Sequence, residues 1–264
     1  MVSAKSSSQP ATDPPATGLT TGTTNAGLTS DVAQARRRAI VAGRTGDRES
    51  ATALFGHHEP SVRQAALGAL AADGRLDAPL IVEALGDSAW SVRRRACELA
   101  GRLAISVGED RSTNRDEDRA EHDGLDAVIR RLVETLSDRE PLVSEAAAWA
   151  LGELVPIAPD GLLAPDSVSA TDELGTGELA EMATRHADPL CREAAVAALG
   201  AIGAPSSLEA VLAALGDKPP IRRRATIALA AFNDPRADDA LKSCLKDRDW
   251  QVRQAAEDIL GRMD

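Results

Sequence analysis

Apolar residues recur along this 264-residue chain with the spacing of one face of an α-helix, and the pattern returns about every thirty residues. With Val62 as position 0, apolar residues also fall at positions +3, +4, +7 and +8, which form one stripe along a helix. The same register returns at Val92, Val143, Cys191, Ile221 and Val252. Successive starts are 30 or 31 residues apart, except for gaps of 51 and 48 residues on either side of Val143.

A second helical pattern precedes these stripes, and an acidic turn separates the two helices. The turns contain Asp87, Asp138, Asp188, Asp217 and Asp247. Pro often begins the helix after the turn, where its missing N–H costs nothing. A fixed period of two helices per unit predicts a solenoid, because no single unit can bury its stripe without neighbours. We therefore predict an all-α solenoid of about six helix-pair repeats.

The two ends of the chain and the two longer gaps define its expected organisation. Residues 1–30 contain mostly Ser, Thr, Gly, Pro and Ala, which predicts a disordered tail. Ser30-Asp31 predicts the start of a lone N-terminal cap helix over residues 31–43, and the solenoid is expected to fill residues 31–264. Loop insertions are expected near residues 104–123 and 155–176, on one edge of the solenoid, where long loops often bind partners.

Composition narrows the class of protein. Aromatic residues make up only 2 % of the chain, so Ala, Val, Leu and Ile must fill the core. The net charge is −11 and Lys stands at only four positions, a balance that resembles proteins from the high-salt cytoplasm of a halophilic archaeon. Such a negative field opposes general adhesion to nucleic acid.

The cysteines and the lengths of the apolar runs indicate the cellular compartment of the protein. Cys97, Cys191 and Cys244 lie far apart in predicted helices, which indicates buried thiols in a reducing cytosol. No apolar run approaches about 18 residues, so we expect no membrane insertion. Together these features predict a monomeric cytoplasmic protein.

The string Asp-x-x-x-x-Val-Arg, at Asp87–Arg93 and Asp247–Arg253, resembles HEAT repeats. The Ala-Leu-Gly endings at residues 150–152 and 198–200 are similar to the subgroup named after phycobilisome lyases. This resemblance implies an armadillo-type, right-handed α-α superhelix whose second helices line the concave face. The subgroup includes scaffolds, bilin lyases and an iron-dependent hydroxylase, so the resemblance alone leaves the function open.

The arginine at position +1 is the most regular polar feature of the repeats. We predict that these arginines pair with the turn aspartate of their own or the next repeat, which would form a structural ladder along the solenoid. The predicted ladder residues are Arg63, Asp87, Arg93, Arg192, Arg222, Asp247 and Arg253. The third repeat departs from the pattern, because Ser144 stands where the other repeats have arginine.

Two arginine triples and two tryptophans are the candidate binding residues. Position +3 is small in most repeats but is Arg95 or Arg224 within the triples, which predicts sites for an acidic partner. Alternatively, these cations reach solvent or pair with turn acids. Trp90 and Trp250 replace Pro at the start of a second helix, either filling gaps or serving as exposed anchors. The full candidate set is Arg93, Arg94, Arg95, Arg222, Arg223, Arg224, Trp90 and Trp250.

Motifs for catalysis or metal binding are few. The iron hydroxylase relatives require several His-Glu pairs at equivalent turns, whereas these turns offer only His58-Glu59. No nucleophile elbow, phosphate loop or zinc spacing is present, so we expect neither metal, cofactor nor enzymatic activity. The leading hypothesis is a scaffold or adaptor for partner proteins, in a context such as signalling or motility. The alternatives are a tetrapyrrole lyase or chaperone subunit and a nucleic-acid-binding protein.

Overall fold

The computed structural model describes residues 22–72, 76–107, 115–154 and 175–263, and these ranges contain helices and no β-strand. The thirteen α-helices described are α1 (Gly22–Thr45), α2 (Arg48–Phe55), α3 (Pro60–Ala72), α4 (Ala78–Leu85), α5 (Trp90–Val107), α6 (Arg115–Thr135), α7 (Pro141–Leu154), α8 (Gly177–Arg185), α9 (Pro189–Ile202), α10 (Leu208–Ala214), α11 (Pro219–Ala228), α12 (Pro235–Cys244) and α13 (Trp250–Met263). Short 3₁₀ turns lie at Pro205–Ser207 and Leu229–Ala231.

After α1, the helices pair in chain order to give six repeats, each with a first and a second helix. The second helices α3, α5, α7, α9, α11 and α13 pack each against the next, and α1 packs on α3 at the N-terminal end. The first helices form the other layer, in which α4 contacts α6, and α10 contacts α8 and α12. The predicted all-α solenoid of about six helix pairs is therefore confirmed.

Glycine at position +9 lets neighbouring second helices approach closely. The Cβ atom that an alanine would add at Gly200 would lie 2.5 Å from the Ala228 Cβ, which is closer than van der Waals contact allows. Ala228 stands at position +7 of the next repeat. The same +9 to +7 contact joins Gly101 to Ala150 and Gly152 to Ala198.

The same contact fixes the register of the cap helix α1. A Cβ at Gly43 would lie 2.8 Å from the Ala69 Cα, so Gly43 takes position +9 and Gln34 takes position 0. Arg36 therefore stands at position +2. In sequence, Arg36-Arg37-Arg38-Ala39 parallels Arg93-Arg94-Arg95-Ala96 and predicts position +1 for Arg36, one residue away from the register observed.

The structure corrects two predicted boundaries. Helix α1 begins at Gly22 and not at Ser30-Asp31; residues 22–30 contain no proline that would end the helix. Residues 1–21, and with them most of the predicted tail, lie outside the described residues.

The first insertion is largely helical and not a loop. Helix α5 continues to Val107 and α6 already begins at Arg115, which leaves only residues 108–114 outside the description. The charged residues 115–123 contain neither Pro nor Gly and are compatible with a helix. The second insertion falls on residues 155–174, which are not described.

Candidate interaction surface

The position +1 arginines link neighbouring repeats along one edge of the solenoid at four of its five junctions. Arg63 binds Asp87 through two parallel hydrogen bonds, with Nε–Oδ2 at 2.7 Å and Nη2–Oδ1 at 2.6 Å. Its remaining Nη1 donates to the His57 carbonyl oxygen at 2.9 Å, within the turn of its own repeat. The same arrangement joins Arg93 to Asp138, Arg192 to Asp217 and Arg222 to Asp247.

The arginine and aspartate of each pair satisfy each other's hydrogen-bonding groups, so few of these groups are left to bind a ligand. The arginine side chains are only 5–18 % exposed and their aspartates 10–21 %. Hydrogen bonds from Arg192 and Arg222 lower the pKa values of Asp217 and Asp247, respectively. Arg93 and Arg222, two of the candidate binding residues, therefore belong to the ladder.

The ladder is interrupted between the third and fourth repeats. Ser144 donates to the Asp138 carbonyl oxygen at 3.2 Å, but its short side chain cannot reach the next repeat. There, His186 stands where Asp87 stands in the second repeat, and its Nδ1 accepts the Asp188 N–H at 3.1 Å. Asp87 Oδ1 accepts the equivalent N–H, from Ala89, at 2.8 Å.

His57 plays the same part in the first repeat, where Nδ1 accepts the Glu59 N–H at 3.0 Å. No ladder arginine approaches His57 or His186 from a preceding repeat among the described residues. The ladder thus has two segments, each of which begins at a histidine. At the C-terminal end, the Arg253 side chain donates to the Asp247 carbonyl oxygen of its own turn, at 2.7 Å, and binds no aspartate of another repeat among the described residues.

The second-helix layer presents one row of side chains per helix, at positions +2, +6 and +10. The rows from α1 to α11 are Arg36, Ile40 and Arg44 on α1; Gln64, Gly68 and Ala72 on α3; Arg94, Glu98 and Arg102 on α5; Glu145, Trp149 and Glu153 on α7; Glu193, Ala197 and Ala201 on α9; and Arg223 and Ile227 on α11, with Ala231 in the 3₁₀ turn that follows. The α3 row is small and uncharged, so a depression lies between the larger rows of α1 and α5.

We call this depression the N-terminal trough; it is lined chiefly by Arg36, Ile40, Arg44, Gly68 and Arg95 and encloses about 430 Å³. The Arg95 guanidinium lies over its floor, 3.6 Å from the point where a Cβ on Gly68 would stand. Among the described residues, none that lines the trough carries a carboxylate. The only ion pair that one of its arginines makes among the described residues joins Arg95 to Glu98, at 3.0 Å.

A second groove, the Trp149 groove, lies between α5 and α7 and encloses about 350 Å³. Its floor contains Cys97 and small residues, and Arg94, Arg102, Glu145 and Glu153 are among its charged walls. Trp149 is 42 % exposed, in a protein whose most frequent buried apolar residue is alanine. The groove therefore combines an aromatic surface with charges of both signs.

Two family models match the chain. The model described as HEAT repeats covers residues 177–261, which are repeats four to six, and the model described as HEAT repeat covers residues 128–158, in repeat three. The chain contains HEAT repeats. No curated protein matches it.

Solved structures resemble the HEAT-repeat fold of this chain at low sequence identity. An engineered protein matches with a TM-score of 0.57 and 20 % identity, over 83 % of this chain and 98 % of its own. A designed armadillo repeat protein matches with a TM-score of 0.53 and 18 % identity, over 81 % and 98 %. YibA of Escherichia coli matches with a TM-score of 0.51 and 17 % identity, over 81 % and 70 %. These similarities establish the fold alone.

The two arginine triples of the HEAT repeats occupy different surroundings. Arg94 lies 3.3 Å from Glu98, and Arg95 enters the N-terminal trough. Arg224 instead lies 3.5 Å from Glu193 and 5.6 Å from the centre of the Trp149 ring. Arg223 is exposed and makes no ion pair with another described residue. The triples therefore do not form two equivalent sites.

Trp90 and Trp250 do not fill gaps between helices, since they are 44 % and 64 % exposed. Trp90 lines a cleft of about 550 Å³ beside the ladder, together with Arg93, Arg131 and Asp138. Sequence reasoning missed Arg36 and Arg44 as binding candidates. The signal that identifies them is the spacing to Gly43, which sets the register of α1.

Three features of the described part of the chain concern metal binding, thiol reactivity and membrane insertion. No group of three or more His, Cys, Asp or Glu residues is placed to hold a metal ion there. Cys97, Cys191 and Cys244 are free and buried, and burial raises the pKa of Cys97 to about 12 and that of Cys191 to about 11. Among the helices that are described, none has the length and apolarity needed to cross a membrane.

Proposed function

We propose that this chain is a scaffold that binds partner proteins on its second-helix face and has no catalytic activity of its own. The observation that carries the proposal is Trp149, an exposed aromatic side chain in an open groove between charged rows. Tryptophan is enriched among the residues that dominate binding energy at protein interfaces. A charged rim around such an anchor also fits the usual anatomy of these interfaces.

The ladder supports the same role through the shape of the surface. Bidentate pairs join repeats one to three and repeats four to six, so the rows of the second-helix face are held at fixed spacing within each segment. A preorganised surface loses less conformational entropy when a partner binds. Solenoids use extended surfaces of this kind to bind other macromolecules.

Site-specific photo-crosslinking tests the proposal. A photoreactive amino acid placed at Gln64 or Ile227 samples the second-helix face, whereas one at Glu83 or Glu181 samples exposed positions of the first-helix layer. We expect a discrete protein adduct from the second-helix positions in the native host, and its loss when Trp149 is replaced by Ala. Thermal unfolding of the Trp149→Ala variant checks that the fold is retained.

Three results would contradict the proposal. One is equal crosslinking from both layers, and another is an adduct that survives the Trp149 substitution. The third is the isolation of a pigment or nucleic acid, with no protein, from the unmodified chain. A visible absorption band would favour tetrapyrrole handling, and DNA affinity that falls steeply with salt would favour nucleic-acid binding.

A further inference from the structure

We propose that the N-terminal trough binds a segment of the partner protein that carries carboxylates on both sides of an apolar residue. This inference rests on the proposed scaffold function and names the chemistry of the segment that is bound. The segment would face Arg36, Ile40 and Arg44 on α1, with Arg95 opposite them.

Charge is the first argument. The chain carries a net charge of −11, yet the three ionisable side chains that line the trough among the described residues are all arginines. Arg36 and Arg44 are exposed and make no ion pair with any other described residue. Guanidinium groups bind carboxylates through two parallel hydrogen bonds, as the ladder pairs of this protein do. Because the remaining surface is rich in acids, an acidic segment would be repelled elsewhere and attracted here.

Spacing is the second argument. Arg36, Ile40 and Arg44 are four residues apart, so they lie on one face of α1 and the two arginines are separated by about 12 Å. Ile40 is exposed between them, although it is a large apolar side chain. A helix with Glu, Leu and Glu at the same spacing would place one carboxylate near each arginine and its leucine on Ile40.

Shape is the third argument. The α3 row contains Gln64, Gly68 and Ala72, so among the described residues only Gln64 at one end of the row and Arg95 extend long side chains over α3. The resulting volume of about 430 Å³ leaves room for side chains of a bound segment. The other triple offers no such space, because Arg224 already contacts Glu193 and the Trp149 ring.

Fluorescence anisotropy with a defined peptide tests the inference on the full chain. The probe is a fluorescein-labelled helical peptide of sixteen residues with Glu, Leu and Glu four residues apart on an Ala and Gln background. We expect saturable binding to the wild-type chain, and affinity about tenfold lower or worse for Arg36→Glu/Arg44→Glu. The matched control is Arg37→Glu/Arg130→Glu, which changes the net charge equally at exposed positions outside the trough, and it should retain wild-type affinity.

A second probe with Lys in place of both Glu residues provides the reciprocal test. It should bind Arg36→Glu/Arg44→Glu more tightly than it binds the wild-type chain. Circular dichroism of every variant checks that α1 remains folded. Failure of the Glu probe to bind the wild-type chain, equal losses in both double variants, or tighter binding of a DNA oligonucleotide than of the Glu probe would overturn the inference.

The outcome for the trough can be separated from the outcome for the scaffold function. If the crosslinked adduct at Ile227 persists in Arg36→Glu/Arg44→Glu but disappears in Trp149→Ala, the second-helix face binds a partner and the trough does not contribute. If no adduct forms from the second-helix face in any variant, the scaffold function itself fails.

Discussion

Restoring the missing ladder pair between the third and fourth repeats should stabilise the protein. Ser144 stands at the arginine position and His186 at the aspartate position, so the double variant Ser144→Arg/His186→Asp rebuilds the pair found at the other junctions. The new arginine should donate to the Asp138 carbonyl oxygen, as Arg93 donates to that of Asp87 at 2.9 Å. Its other two nitrogens should then bind the introduced carboxylate, which can still accept the Asp188 N–H.

The expected gain follows from the existing pairs. Exposed ion pairs contribute about 0–1 kcal/mol, whereas breaking a fully buried pair costs about 3–5 kcal/mol. The ladder side chains lie between these limits, with arginines 5–18 % and aspartates 10–21 % exposed. We therefore expect a coupling energy of about 1.5–3 kcal/mol between the two substitutions. Each single variant should be less stable than wild type, because it leaves one partly buried charge without its partner.

Equilibrium unfolding in urea, followed by circular dichroism, measures the four free energies of the cycle. The control cycle combines Ser144→Arg with His57→Asp and leaves His186 unchanged. His57 occupies the matching turn position, but it lies in the first repeat and cannot pair with residue 144 in the third. Ser144→Arg and His57→Asp should show additive effects. A coupling energy near zero in the first cycle, or a double variant less stable than both single variants, would refute the pairing rule derived from the ladder.

Three further predictions concern helix contact, pH and thiol burial. Gly200→Ala should destabilise the chain by about 1–3 kcal/mol in urea unfolding, because the added Cβ meets the Ala228 Cβ at 2.5 Å. Gly261→Ala is the control and should not destabilise the chain, because a Cβ there meets no neighbouring described residue within 4 Å. The pKa of Asp217 is lowered in the folded state, so its stabilisation is present above the unfolded pKa of about 4 and is lost as the pH falls through the lower folded value. Asp217→Asn should therefore be less stable than the wild type at pH 7 and lose less stability than the wild type as the pH falls below about 4. Cys97 should react with a thiol reagent only after denaturation, because burial raises its pKa to about 12; rapid reaction in the native state would contradict this.

Sequence reasoning succeeded where a feature depends on residues within one repeat. The thirty-residue period and the apolar stripe of Val62 specified the helix pairs, because each helix must bury its own stripe. The ladder could also be anticipated, since Arg63 and the turn aspartate recur together. The pattern did not decide which aspartate each arginine binds, and the structure assigns the one in the following repeat.

Features that depend on a neighbouring repeat were not accessible in the same way. Arg95 and Arg224 occupy the same position in identical triples, yet Arg95 lies over Gly68 whereas Arg224 reaches Trp149. The difference comes from the helices beside them, which the triple itself does not encode. The register of α1 was missed for a related reason, because only the contact between Gly43 and a neighbouring helix fixes it.

The junction that lacks a ladder pair is bridged on another surface. Arg224, in repeat five, lies 3.5 Å from Glu193 in repeat four and 5.6 Å from the Trp149 ring in repeat three. Its side chain can cross α9 because the row there contains Ala197, whereas a longer residue would block the path. Arg224 therefore connects repeats three, four and five on the second-helix face, beside the junction between repeats three and four that has no ladder pair. Since Trp149 is also the proposed anchor for a partner, binding there would act directly on the contacts that hold the two ladder segments together.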